Sequence, residues 1–268
     1  MLECVINVSE GRERGRLDQL ADAAGTALLD LHADPHHHRA VLTLAGEEEA
    51  AWAAATAVAR RAVAVLDLGA HAGVHPRFGV LDVVPWVDLD DPSHVTPCAL
   101  RLRDRFAQWA GDELALPCFT YGPERSLPEV RRGAWKALAP DTGPPQPHPT
   151  AGSCAVGARI PLVAYNLWLL RADIDEARRI AAAIRRPGLR ALGLQVGHRV
   201  QVSCNLTDPI RLGPAEAYEL VSARAPVAGA EVVGLVPESV LALVPRERWP
   251  GLDLDPDRTI ETRLAAGH

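Results

Sequence analysis

The chain has 268 residues, 48% of them hydrophobic and 23% charged, with a formal net charge of −6. That is the composition of a globular protein with room for one large domain or two small ones, and its acidic balance argues against a nucleic-acid partner. No apolar run reaches the roughly 18 residues that cross a bilayer, and the opening Met1-Leu2-Glu3-Cys4 has neither a basic nor an apolar leader region, so the expectation is a cytoplasmic protein without membrane contact.

In chain order, Glu3 to Val8 alternates like a strand, and Arg12 to Ala24 carries Leu17, Leu20, Ala21 and Ala24 at helical spacing. A strand follows at Ala27 to Leu31, a polar turn at Asp34 to His38, and another strand at Ala40 to Ala45. The Ala-rich stretch from Glu47 to Leu66 begins with three glutamates, which suit the positive end of a helix dipole. After a Gly- and His-punctuated loop, Phe78 to Trp86 reads as a strand. The first unit is therefore β-α-β-β-α-β. It is extended by a helix at Pro92 to Leu114, a short strand at Pro117 to Tyr121, and a helix at Leu127 to Leu138 with Pro128 in its first turn.

The five prolines between Pro140 and Gly152 exclude both a helix interior and a central strand, so this stretch reads as a loop or linker. Then the order repeats. A strand at Pro161 to Leu170 and a helix at Ile174 to Ile184 precede strands at Leu192 to Val196 and Val200 to Leu206. A helix at Pro214 to Ser222 and a strand at Glu231 to Val236 complete the set. Two strands in succession within each half point away from a doubly wound sheet and toward an α+β class. The predicted architecture is two ferredoxin-like βαββαβ subdomains, the first extended, over residues 1–152 and 153–245, with 246–268 as a peripheral tail.

Four clusters could carry chemistry. His71-Ala72-Gly73-Val74-His75-Pro76-Arg77-Phe78-Gly79 enters a strand. A histidine there can shuttle a proton near neutrality, and Arg77 offers a fork for a carboxylate; a loop histidine bonded to backbone fits the same pattern. Asp34-Pro35-His36-His37-His38-Arg39 suggests a metal site that His71 and His75 could complete, but consecutive residues of an extended chain point to opposite faces. In Asn7-Val8-Ser9-Glu10-Gly11, Ser9 suits an N-cap, and Asn7 with the free amides at the helix start suits a polar ligand. Thr150-Ala151-Gly152-Ser153 closes the Pro-rich loop, either as linker or as a stiff frame for a flat ligand. The cysteines Cys4, Cys98, Cys118, Cys154 and Cys204 form no Cys-x-x-Cys pair and mostly lie in apolar stretches, as buried thiols do.

These stretches together resemble the formiminotransferase family. Glu3-Cys4-Val5-Ile6-Asn7-Val8-Ser9-Glu10-Gly11 is similar to its opening E-C-V-P-N-F-S-E-G, and His75-Pro76-Arg77-Phe78-Gly79-Val80-Leu81-Asp82-Val83 to its H-P-R-M-G-A-L-D-V. Pro140-Asp141, Gly143-Pro144 and Gly157-Ala158-Arg159 resemble its folate-contacting loop and the following strand. Val163-Ala164-Tyr165-Asn166, Val202-Ser203-Cys204-Asn205-Leu206 and Val233-Gly234-Leu235-Val236-Pro237 resemble later signatures. Ala151 stands where the family has tryptophan, and His38 where the animal form has asparagine.

The resemblance implies two subdomains whose sheets face each other across the substrate, a homodimer, and no fused cyclodeaminase domain. It implies transfer of a formimino group between N-formimino-L-glutamate and tetrahydrofolate in histidine degradation, with no metal. His75 takes the place of the catalytic histidine. Gly143, Pro144, Pro149, Thr150, Ala151 and Gly152 frame the folate, and Asn7, Arg39 and Arg77 are further binding candidates. Two other readings stay open: a related folate-binding one-carbon transferase with a different donor or acceptor, and a metal-dependent hydrolase using His36, His37, His38, His71 and His75.

Overall fold

A computed structural model describes residues 1–72 and 77–267, which divide after Ile160 into two compact units. In the first, strands β1 (Leu2–Val8), β2 (Leu28–Asp34), β3 (Arg39–Gly46), β4 (Leu81–Asp88), β5 (Cys118–Tyr121) and β6 (Cys154–Ala158) form a sheet of order β2-β3-β1-β4-β6-β5. The β2-β3-β1-β4 portion is antiparallel, the ferredoxin-like arrangement, while β6 joins β4 and β5 in parallel.

Alternation along the strands separates the two faces of this sheet. Cys4, Ile6, Val8, Leu42, Leu44, Val84, Trp86 and Val156 point into one core beneath helices α1 (Arg14–Ala24), α2 (Glu48–Val65) and α3 (Pro97–Leu114). Val83, Phe119, Tyr121 and Ala155 point the other way, where α4 (Leu127–Gly133) covers them through Val130. By the same alternation Asn7, Arg39 and Val41 lie on that second face, with Asn7 opposite both Val41 and Val83.

The register slips where β1 meets β4: Asn7 pairs with Val83 but Val8 with Leu81, so Asp82 is the skipped residue of a bulge. A bulge re-aims the side chain it carries.

The second unit is a four-stranded antiparallel sheet of order β10-β7-β9-β8, built from β7 (Val163–Leu169), β8 (Leu189–Val196), β9 (Arg199–Leu206) and β10 (Val227–Val233). Helices α5 (Ile174–Ile184) and α6 (Pro214–Ser222) supply Ala177, Ile180, Ala181, Ile184, Ala217 and Val221 to its core. Both halves of the α+β prediction are thus present.

The structure departs from the sequence expectation in three places. The first unit continues past residue 152, because β6 lies between β4 and β5 and cannot be separated from them. Residues 246–267 are not a peripheral tail: Leu252, Leu254 and Ile260 are buried, and the first two join the second core. Tyr165 Oη donates to the Leu252 carbonyl at 3.0 Å, and Ile260 N–H to Val236 at 3.0 Å. The segment includes α8 (Ile260–Ala265), which follows α7 (Glu238–Leu241). Finally, α4 stops at Gly133 instead of Leu138, since the Gly133 carbonyl accepts from Lys136, Ala137 and Leu138 and Trp135 turns left-handed at φ 62°.

Candidate functional site

The candidate site gathers loops at the end of β1, between β2 and β3, and ahead of β4. Glu10 is its buried anchor, with 1% exposure. Its Oε1 accepts the backbone N–H groups of Gly11, Arg12 and Glu13 at 2.9, 2.9 and 3.0 Å, and its Oε2 faces Arg16 at 3.2 Å. Burial opposes ionisation, but those backbone donors with His38 and Arg16 outweigh it and hold the carboxyl below its ordinary pKa.

The β2–β3 turn is closed by Asp34, whose Oδ1 accepts the backbone N–H groups of His36 and His37, both at 2.9 Å, while Oδ2 meets His37 Nδ1. Burial works against the Asp34 carboxylate, yet its bonds to His37 and His36 depress its pKa strongly. His38 adopts φ 51°, a left-handed conformation that histidine and asparagine tolerate better than most residues. Its Nδ1 accepts from Gly11 N–H at 3.1 Å and lies 3.4 Å from Glu10 Oε1. His37 and His38 are thus committed to different partners.

His71 stacks on His38 with ring centroids 4.1 Å apart. Its Nε2 lies 2.8 Å from the His38 carbonyl, and Arg77 donates to its Nδ1. A carbonyl can only accept and a guanidinium can only donate, so these two partners match the neutral Nε2–H tautomer. Burial lowers the pKa of both histidines; Arg77 lowers that of His71 further, and for His38 the neighbouring His71 adds to the effect.

His75, with Gly73, Val74 and Pro76, lies outside the described residues. The chain on both sides of it is pinned. Arg12 donates to the Ala72 carbonyl at 3.1 Å and to the Pro35 carbonyl at 2.7 Å. Beyond Arg77, the Phe78 N–H donates to Asp82 Oδ1 at 2.6 Å, while Asp82 Oδ2 takes Arg131 at 2.6 Å. Asp82 is the bulge residue of β4 and only 2% exposed. Arg39 and Arg77 also feel its charge. Both arginines have a pKa lowered chiefly by burial, and Arg131 lowers that of Arg39 further. The guanidinium groups of Arg39, Arg77 and Arg131 thus gather around the Asp82 carboxylate. Arginine forks in such a cluster suit the carboxylates of an anionic ligand.

The Pro-rich loop divides in two. Pro145, Pro147, Pro149 and Thr150 are exposed and Pro144 half-exposed. Its glycines, in contrast, serve packing. Gly143, at φ 80°, would bring a Cβ within 2.8 Å of the Leu116 carbonyl; at Gly152, φ 73°, a Cβ would meet the Phe78 carbonyl at 2.6 Å. Ala151, expected to frame a flat ring, is fully buried, and its carbonyl accepts from Val80 N–H at 2.9 Å. It is a core residue because the closing turn folds back onto Phe78 and Gly79. Asn7 stays half-buried on the sheet face, with its amide donating to the Val5 carbonyl at 3.2 Å.

Residues 1–159 match the family described as "Formiminotransferase domain, N-terminal subdomain". The chain belongs to the formiminotransferase family. It is 35% identical over 272 residues to a glutamate formimidoyltransferase of Streptococcus pyogenes, covering 90% of each chain. It is 36% identical over 277 residues to one of Thermoplasma acidophilum, covering 90% of this chain and 89% of that one. A formimidoyltransferase-cyclodeaminase of Gallus gallus is 34% identical over 278 residues, which are 90% of this chain and 51% of the longer protein. As a member of this family the chain is a transferase of one-carbon groups.

Sequence reasoning passed over Arg131 altogether. It lies 49 residues from Asp82, in the last turn of α4, where basic residues are ordinary. Glu10 and Asp82 sat inside the quoted motifs without a role, and His38 and His71 were weighed only as metal ligands. Among the described residues, no group of three or more His, Cys, Asp or Glu is arranged to hold a metal ion.

Proposed function

We propose that this chain moves a formimidoyl group between N-formimino-L-glutamate and tetrahydrofolate, with His75 as general acid and base. Support comes first from the family and from relatives named glutamate formimidoyltransferase over nine-tenths of the chain. The observation that carries it into this site is the pinned loop. Ala72 is held by Arg12, Arg77 by His71 and Phe78 by Asp82, on either side of His75 and beside a cationic cluster.

In the transfer, the acceptor amine attacks the amidine carbon to give a tetrahedral adduct carrying the carbon between two amines. One C–N bond then breaks, and the leaving nitrogen needs a proton. An imidazole that titrates near neutrality can take a proton from the attacking amine and return it to the departing one. Arg39 and Arg77 fit the carboxylates of the glutamyl donor. The exposed Pro145, Pro147, Pro149 and Thr150, with half-exposed Pro144, offer a stiff edge for the folate, and Asn7 on the sheet face offers a neutral amide. A homodimer and a place in histidine degradation belong to the same reading and rest on the resemblance, and a cytoplasmic location rests on the sequence expectation.

The test is direct. Wild-type protein should transfer the group from N-formimino-L-glutamate to tetrahydrofolate, and His75→Ala should lower kcat by at least about 10²-fold while the circular dichroism and melting curve stay unchanged. A well-folded H75A with near wild-type turnover would falsify the assignment of the base, and no saturable tetrahydrofolate binding would favour a different acceptor.

A further inference from the structure

We propose that His71 is a positioning residue: held neutral between the His38 carbonyl and the Arg77 guanidinium, it aims Arg77, and a proton on its ring breaks that contact. The activity arm rests on the transfer reading above; the geometry does not.

One tautomer fits both partners. His71 Nδ1 meets a group with donors only, and Nε2 meets a group with acceptors only. Protonation would turn the Nδ1 lone pair into a second N–H pointing at a guanidinium. The arginine must then leave, since two cations cannot share one hydrogen bond. The charged groups facing the ring reinforce this. Arg77 and Arg12 oppose a proton on His71, and Glu10, from the β1–α1 loop, is the acid that favours one. The stacked His38, from the β2–β3 turn, is itself a histidine. His38 has an exchange of its own: neutral, its Nδ1 accepts from Gly11 N–H; protonated, it would turn to Glu10 Oε1, 3.4 Å away. The two stacked rings resist being charged together.

Arg77 is two residues from His75, and Ala72 is tied to Arg12 on the other side. Losing the Nδ1 acceptor therefore removes one tie on the downstream side, where Phe78 N–H still holds Asp82 Oδ1, while the upstream tie at Ala72 is untouched. The expected consequence is weaker capture of the donor's carboxylate, with less effect on the chemical step.

Two measurements decide it. Long-range ¹H–¹⁵N spectra of the histidine rings should show His71 as the neutral Nε2–H tautomer at pH 7, titrating below an ordinary histidine. An Nδ1–H tautomer or a charged ring at pH 7 overturns the proposal whatever the enzyme does. In the transfer assay, His71→Ala should raise KM for N-formimino-L-glutamate about ten- to a hundredfold while kcat changes about threefold or less. His71→Asn, whose Oδ1 can take the place of Nδ1 but does not titrate, should return KM to within about threefold of wild type. It should also remove one proton from the acid limb of kcat/KM, leaving the limb that belongs to His75. If H71A matches wild type in KM, or H71N keeps the wild-type acid limb, His71 does not position Arg77. A wild-type protein inactive toward N-formimino-L-glutamate overturns the transfer reading, and the ring spectra then decide this proposal.

Discussion

At the scale of single residues, the site is a set of buried charges whose partners are backbone groups as often as side chains. Glu10 gathers the three consecutive amides just ahead of α1, where Ser9 was read as the N-cap. Ser9 instead donates to the Gly79 carbonyl at 2.8 Å. Replacing Glu10 by Ala leaves the Arg12 and Glu13 amides without that acceptor, while Gly11 N–H keeps His38 Nδ1, and should cost about 2–4 kcal/mol in denaturant unfolding. The pH dependence has a definite sign. His71 and His38 have folded pKa values below the ordinary 6.5, so the unfolded chain binds more protons there. Their contribution is fully present above pH 6.5 and is lost as pH falls through the lowered folded values. Glu10 and Asp34, also lowered, contribute above the ordinary carboxylate range and lose that contribution as pH falls through their folded values. A plot of unfolding free energy against pH should therefore decline in two steps below neutrality, and the H71N variant should flatten the upper one. A curve flat from pH 7 to 5 would contradict the assignment.

At the scale of elements, the strand that periodicity passed over, and only the resemblance touched, explains itself. Cys154-Ala155-Val156-Gly157-Ala158 has small side chains and little alternation in polarity, because β6 is buried on both faces between parallel neighbours. Gly157 is required there: a Cβ would lie 2.0 Å from the Tyr121 ring. Gly157→Ala should destabilise the protein by about 2–3 kcal/mol. Gly15 in α1 has nothing within 4 Å, so Gly15→Ala should stabilise by about 0.5 kcal/mol. Urea midpoints for the two variants should move in opposite directions. The other elements were legible because their signals are local. Asp173 caps α5 by accepting Glu176 N–H at 2.7 Å, and Ser126 and Glu129 form a capping box on α4, whose early stop was not legible.

At the scale of the whole molecule, each unit has its own core, and the second one needs its C-terminal segment. Leu252, Leu254 and Ile260 bury side chains worth roughly 1.5–3 kcal/mol each, a sum comparable to the stability of a domain. Removing residues 246–268 should therefore strip hydrogen-exchange protection from the amides of β7 and β9 while those of β1 and β3 stay protected. Full protection of β7 in the shortened chain would return these residues to the status of a tail.

Periodicity, caps and prolines, all encoded within a few residues of one another, sufficed for the two βαββαβ orders and most helix limits. The motif around His75, together with the opening strand motif and the later signatures, sufficed for the family. What only the tertiary structure decided depends on residues distant along the chain. β6 acquires its identity from β4 and β5, and Arg131 reaches Asp82 across 49 residues. Ala151 is buried by a turn folding back, and His71 is fixed in one tautomer by a carbonyl from another loop. A hydrogen bond or a packed face needs both partners in place, and no window of the sequence contains both.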